Sequence, residues 1–156
     1  MSSTLPPRGS DLALLLLLGF RALIDDAHAE LAEAGHGGFR PLHGVAFKAI
    51  GDGVTASELG RRLGVSKQAA GKTIEGLERE GYVERVADPE DARSKIIRLT
   101  PRGVELQQRA FEAMARQRER WIARLGEEQV AAIEEGLREM TADREMRFDI
   151  PGWFNG

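Results

Sequence analysis

Two short helical segments joined by a very tight turn constrain the fold of this chain more than any other feature. The first, ASELGRRLG, follows Thr55, and Glu58 completes the pattern of a capping box. The second, KQAAGKTIEGLERE, follows Ser66 as its N-cap and keeps an inward apolar period. Gly64 and Val65 make the connection. Two short helices so closely joined, the second opening with polar and basic residues, predict a helix-turn-helix.

The second segment contains Gly71, Lys72 and Thr73, a triplet that also closes phosphate-binding loops. Such a loop needs another glycine five positions before the second one, and a buried strand before the loop. Ser66 occupies that position, and the preceding residues have helical periodicity. The sequence therefore argues against a nucleotide site.

The residues after the second helix predict a wing. YVERVA and KIIRLT are β-branched runs separated by DPEDARS, a loop with Asp-Pro turn chemistry, so we expect them to pair as a hairpin. Thr100 then caps a long helix with Pro101 at its first position. Its apolar residues recur with roughly heptad spacing, and EEQVAAIEEGLREM continues the pattern beyond Gly126. This predicts an antiparallel helical hairpin with Gly126 near its corner.

The first predicted helix carries the apolar run LALLLLLGF at residues 12–20. Capped by Ser10 or Asp11 and running to about Glu33, it would be apolar all round in its first half. One neighbouring helix cannot cover such a surface, so we infer a subunit interface. The run is too short to span a bilayer, and charged residues occupy the region where a signal peptide would be cleaved. A further short helix is expected over PLHGVAFKAIG.

The composition fits one soluble, largely helical domain of 156 residues with 30% charged residues. The net charge of −3 is unevenly distributed, because residues 61–72 carry four basic residues and no acid. Such a local field attracts polyanions, although a solvated helix face is the simpler reading. The chain has no cysteine, which excludes disulfides and thiolate metal sites and suggests a cytoplasmic location. No motif of an enzyme is visible, and no membrane partner is expected.

Residues 42–140 resemble the MarR family of winged-helix transcriptional regulators, named for multiple antibiotic resistance. The resemblance rests on LEREGYVER after the second helix, on Asp91-Ala92-Arg93 in the wing and on LTPRG at the start of the long helix. It implies a mainly α (α+β) fold with a winged helix-turn-helix domain at 40–100. It also implies a homodimer in which helices at 10–35 and 101–147 interlock, flanked by an arm at 1–9 and a tail at 148–156.

The resemblance further implies that the protein binds a pseudo-palindromic operator in double-stranded DNA. The second helix would enter the major groove, where Gln68 can pair with adenine and Lys67 with guanine. Arg93 resembles the family's minor-groove arginine, with Asp91 orienting it; an exposed loop ion pair is the alternative. Gly71 either allows close approach to DNA or is merely tolerated. The expected DNA-binding residues are Arg61, Ser66, Lys67, Gln68, Gly71, Lys72, Thr73, Asp91, Arg93 and Lys95.

Proteins of this family often bind small aromatic acids between the dimerisation helices and the winged domain. By position, His43, Phe47 and Phe111 could line such a pocket, although aromatics at this spacing are more often core. His28, His36 and His43 have no recognised ligand spacing, so we expect no metal and no cofactor.

The expected function is therefore a ligand-responsive DNA-binding regulator, with repression as the expected mode. The alternative is a winged-helix module kept for protein–protein contact without specific DNA binding. Large apolar residues in the tail, Phe148, Trp153 and Phe154, would pack on the partner subunit or form an exposed patch.

Overall fold

A computed structural model describes residues 11–144 and shows a mainly α fold with a winged helix-turn-helix, as the sequence predicts. The predicted arm at 1–9 and tail at 148–156, with its three large apolar residues, lie outside the described residues. The elements in chain order are α1 (Leu12–Glu33), α2 (Pro41–Ile50), α3 (Ala56–Leu63), α4 (Lys67–Arg79), β1 (Val83–Ala87), β2 (Lys95–Leu99), α5 (Pro101–Leu125) and α6 (Glu127–Thr141).

Three of the predicted N-caps are confirmed, whereas Asp11 precedes α1 without a side-chain cap hydrogen bond. The side-chain oxygens of Thr55, Ser66 and Thr100 each accept a hydrogen bond from the backbone N–H three residues on, at 3.1–3.2 Å. Each such cap contributes about 1 kcal/mol. The capping box at Thr55 is only half formed, because the Glu58 carboxylate binds two arginines of α3. These caps fix where α3, α4 and α5 begin.

The turn between α3 and α4 depends on two glycines. Gly64 has φ 65°, a left-handed conformation that glycine adopts without strain. The N–H of Val65 bonds to the carbonyl of Gly60 at 2.9 Å, and a β-carbon on Gly60 would come within 3.1 Å of the Val65 carbonyl. The two helices are thereby held in close contact.

The wing is the predicted hairpin, with β1 and β2 antiparallel and Val83 opposite Leu99. The sequence did not reveal that Val54, just before α3, pairs with Ile97 on the other edge of β2. Their two backbone hydrogen bonds measure 3.0 and 2.7 Å. This pairing places the start of α3 directly beside the wing.

One apolar core holds these elements together. Leu31 of α1 and Leu106 of α5 reach it from outside the winged domain. Its remaining buried members are Ala46, Phe47, Ile50, Val54, Leu59, Leu63, Ile74, Leu77, Tyr82, Val83 and Ile97. The core therefore lies within the helix-turn-helix and wing, and α1 and α5 are attached to its edge.

Tyr82 links the connection after α1 to the start of α5. Its hydroxyl shares a hydrogen bond of 3.0 Å with Nδ1 of buried His36, and the Arg102 guanidinium lies 5.0 Å from its ring centre. Arg102 also donates to the carbonyls of Glu80 and Gly35. These contacts fasten the winged domain to the long helices.

The predicted helical hairpin is present, with Gly126 at φ 87° between α5 and α6. Most of the heptad residues of α5, however, do not pack on their own chain. Gly103, Leu106, Ala113 and Gln117 are the buried positions of α5. The exposed apolar residues of the long helices are Leu12, Leu14, Leu15, Leu16, Leu17, Leu18 and Phe20 on α1, Val104, Phe111, Met114 and Leu125 on α5, and Ile133, Leu137 and Met140 on α6.

No helix in the described part of the chain is both long and apolar enough to cross a membrane.

Gly103 should be indispensable, because a β-carbon there would overlap the backbone carbonyl of Tyr82. We expect Gly103→Ala to lower the free energy of unfolding by about 3 kcal/mol, since backbone cannot move aside cheaply. Urea unfolding followed by circular dichroism measures this. The matched control is Gly136→Ala in α6, where a β-carbon meets nothing within 4 Å and stability should rise by up to about 1 kcal/mol. Equal unfolding midpoints for Gly103→Ala and the wild type would contradict this account.

Candidate nucleic-acid interface

The N-terminal part of α4 presents polar side chains to solvent. Lys67, Gln68 and Lys72 are exposed, whereas Ala70 and Ile74 on the opposite side are fully buried. Gly71 points outward, because a β-carbon there would meet nothing within 4 Å. The Gly-Lys-Thr triplet lies inside this helix, so no phosphate-binding loop forms around it.

Two hydroxyl groups among the predicted site residues are already engaged. The Ser66 oxygen accepts the cap hydrogen bond from Ala69, which leaves its own proton free to donate. The Thr73 hydroxyl donates to the carbonyl of Ala69 at 3.3 Å, within its own helix. Of the two, Ser66 is better placed for an outside acceptor.

A cleft of about 240 Å³ lies between the starts of α3 and α4 and the wing. It contains three of the predicted residues, Lys67, Arg93 and Lys95. Its other lining residues are Thr55, Ala56, Ser57, Arg85, Ser94 and Ile97. The cleft exists because the Val54–Ile97 pairing sets α3 against β2. A concave, cationic surface at the side of α4 is the outcome.

Arg85 is a cleft residue that the sequence did not indicate. Its guanidinium is 3.1 Å from the Glu78 carboxylate of α4. Its position depends on how β1 returns past α4, which no local pattern in the sequence encodes.

Asp91 does not orient the Arg93 side chain as expected. Its carboxylate accepts from the backbone N–H of Arg93 at 2.9 Å, and its carbonyl accepts from the N–H of Ser94. Between residues 11 and 144 the Arg93 guanidinium has no ion pair. Asp91 therefore shapes the loop, and Arg93 keeps an unneutralised charge.

Arg61 is less available than the sequence suggested. Its Nε donates to the Glu58 carboxylate at 2.9 Å, and this hydrogen bond, together with that from Arg62, lowers the pKa of Glu58 to about 2. Arg62 also donates to the carbonyl of Ala49 at 2.7 Å, so it ties α2 to α3. Any anion that binds Arg61 must compete with Glu58.

Two of the three candidate ligand residues, His43 and Phe47, lie one turn apart on α2, and their ring centres are 6.0 and 6.1 Å from that of Phe39. Phe47 is only 1% exposed and belongs to the core, whereas Phe111 is 59% exposed on α5. Phe39 also contacts His28, with ring centres 5.5 Å apart. The sequence did not indicate Phe39 and His28 as residues of this aromatic cluster.

The histidines of this cluster are neutral at pH 7. Burial, followed by the nearby charge of Arg40, lowers the pKa of His43 from 6.5 to about 4. Burial also lowers the pKa of His28, and its buried Nε2 has no hydrogen-bond partner among the described residues. Between residues 11 and 144, no group of three or more His, Asp or Glu residues could hold a metal ion.

The lowered pKa of the half-buried His43 has a consequence for stability. The unfolded chain binds a proton near pH 6.5 and the folded chain only near pH 4, so the free energy of unfolding should fall as pH decreases through that window. His43→Gln should flatten the fall between pH 7 and 5. Urea unfolding at a series of pH values tests this, and identical pH profiles for variant and wild type would exclude the assignment.

The fold and the cationic surface of α4 and the wing define a winged helix-turn-helix protein. The sequence model of the MarR family matches residues 47–94, from the last turn of α2 into the wing loop. This segment of the chain, which contains the helix-turn-helix and the first strand of the wing, is similar to the MarR family. No curated protein matches it in sequence.

Solved structures share this fold over most of their length. MarR from E. coli in its apo form has 20% identity and a TM-score of 0.64, with 83% of this chain and 96% of that chain covered. FabT from Streptococcus pneumoniae in complex with DNA has 23% identity and a TM-score of 0.70, covering 83% and 92%. A mutant MarR from E. coli complexed with operator DNA has 19% identity and a TM-score of 0.66, covering 84% and 94%.

Proposed function

We propose that this protein is a dimeric DNA-binding transcription regulator that places α4 in the major groove and the wing in the minor groove. One observation carries the proposal. Lys67, Arg93 and Lys95 line one cleft beside α4, in a chain whose net charge is −3. Among the described residues these three cations have no acidic partner. Unneutralised cations gathered on one face suit a polyanion, whereas a domain used only for protein contact would not need them.

Each part of the surface has a different task in this proposal. Gln68 and Lys72, exposed on α4, reach base edges, where glutamine pairs with adenine and lysine with guanine. The Ser66 hydroxyl donates to a backbone phosphate. Arg93 enters the minor groove, whose negative potential favours an arginine without an acidic partner. Because Gly71 has no side chain, the backbone of α4 can approach the DNA closely at this position.

Two of the similar structures, those of FabT and of mutant MarR, are complexes with DNA. They support the same use of the fold here. Because identity to them is at most 23%, the residues assigned to DNA rest on this chain's own surface. The similarity of residues 47–94 to the MarR family supports the proposed role in regulation.

The exposed apolar side chains of α1, α5 and α6 support the formation of a dimer. Two copies are needed to bind a pseudo-palindromic operator, which has two half-sites. Five consecutive leucines of α1, Leu14 to Leu18, are each at least 44% exposed. Burial contributes roughly 25 cal/mol per Å² of apolar surface, so covering these helices strongly favours association. We propose that residues 10–35 and 101–147 form the dimerisation region.

A ligand response is supported by the cluster of His28, Phe39 and His43. The unpartnered Nε2 of His28 and the neutral His43 ring can hydrogen-bond an organic acid, and the Phe39 ring offers an apolar face. We propose that a small aromatic acid binds here and that the protein represses transcription in the cytoplasm until it does.

Recognition of specific bases and electrostatic binding of DNA should be separable by mutation. Gln68→Ala should cost about 1–3 kcal/mol on the operator and little on random DNA, because only the correct base completes its hydrogen bonds. Arg93→Ala should weaken binding most where A·T-rich flanks are present, and reduce the slope of log K against log salt by about one. Binding isotherms on operator and scrambled DNA at several salt concentrations measure both effects.

The matched control is Lys48→Ala on α2, an exposed cation outside α4, the wing and the proposed dimerisation region. It should bind like the wild type. If Gln68→Ala or Arg93→Ala also binds like the wild type at every salt concentration, the role assigned to that residue is wrong.

The dimer should be visible in solution. Sedimentation equilibrium at micromolar concentration should give about twice the chain mass of 17.1 kDa. The double substitution Leu15→Glu, Leu18→Glu should abolish the dimer and lower its stability, because it places charges in a surface that must be dry. Ala92→Glu, on the exposed wing loop, should leave the mass unchanged. A stable wild-type monomer would refute the interface.

A further inference from the structure

Three long polar side chains form one row along the outward face of α4. Gln68, Lys72 and Glu75 are spaced four and three residues apart, which places them above one another on a helix. All three are exposed, and the opposite face, with Ile74 and Leu77, is fully buried. Any surface that receives Gln68 and Lys72 therefore also meets Glu75.

Glu75 differs from the other acidic residues close to it. Glu78, one turn further on, is paired with Arg85, and Glu58 of α3 is held by Arg61. Within residues 11–144, Glu75 makes no ion pair and no hydrogen bond. It is an unneutralised carboxylate on the face that the proposed function turns toward a polyanion.

Glycines lie beside this row of side chains, so no neighbouring side chain of α4 projects next to it at those positions. A β-carbon on Gly71 would meet nothing within 4 Å, and one on Gly76 would meet only the Arg79 side chain, at 3.9 Å. Helix packing therefore does not require either glycine, although each costs about 1 kcal/mol relative to alanine. Their effect is to let the row of side chains approach a groove closely.

A bare carboxylate among DNA phosphates is repelled unless it meets a hydrogen-bond donor. In the major groove, the donor that suits a carboxylate is the N4 amino group of cytosine. The guanine of the same pair offers acceptors, which suit a lysine such as Lys72. The row therefore presents a carboxylate acceptor and a cation three residues apart on the same helix face.

We propose that Glu75 is a specificity-determining residue of α4. Its carboxylate accepts a hydrogen bond from a cytosine amino group in each half-site and disfavours DNA that offers no donor there. This inference rests on the proposed DNA-binding function and goes beyond it by naming a base and the residue that selects it.

The experiment uses the full chain and an operator fragment that the wild type has selected from random DNA. Each C·G pair of the half-site is changed in turn to T·A, and each cytosine to 2-pyrimidinone, which lacks the amino group. The wild type should lose about tenfold in affinity at one such position. Glu75→Ala should lose this discrimination and bind random DNA several-fold more tightly.

Two further variants sharpen the result. Glu75→Gln keeps a carbonyl acceptor without the charge, so it should retain part of the cytosine preference while also binding random DNA more tightly. Asp52→Ala removes an exposed acid from the turn between α2 and α3, outside α4, the wing and the proposed dimerisation region, and should change neither property. Circular dichroism verifies that each variant is folded.

The possible outcomes distinguish a failure of the role of Glu75 from a failure of the proposed DNA-binding function. If Glu75→Ala discriminates at every C·G pair as the wild type does, the role of Glu75 is refuted while DNA binding stands. If the wild type itself selects no sequence from random DNA, the proposed function fails, and this inference fails with it.

Discussion

The pairing of Val54 with Ile97 determines the geometry on which the candidate interface depends. Two backbone hydrogen bonds join the residue before α3 to the central residue of β2. Because they fix the wing against the helix-turn-helix, Lys67 of α4 and Arg93 of the wing lie along one cleft. Without these two hydrogen bonds the start of α3 would lose its direct backbone link to β2, and the wing would be held by core residues such as Val83 and Ile97.

The chain is organised around two apolar surfaces of different status. The first is the core of the winged domain, which is buried within the chain. Leu31 of α1 and Leu106 of α5 also belong to it. The other, on α1, α5 and α6, is exposed along most of its length. Tyr82, with His36 and Arg102 around it, lies where the two regions meet.

Local features of the fold could be predicted from the sequence, whereas contacts between distant segments could not. The caps at Thr55, Ser66 and Thr100 and the wing hairpin follow from patterns a few residues long, and the structure confirms them. The Val54 pairing and the place of Arg85 depend on tertiary geometry. The same holds for the candidate site. The helical periodicity of α4 predicts that Gln68 is exposed. It does not predict that Glu58 neutralises Arg61 or that Asp91 forms a turn in the wing loop.

Footprinting on a selected operator tests the central claim most directly, namely that two copies of α4 enter successive major grooves on one face of DNA. Hydroxyl-radical cleavage of both strands should show two protected segments related by a dyad, with centres about one helical turn, roughly 10 base pairs, apart. A single protected segment, or protection without dyad symmetry, would contradict the account.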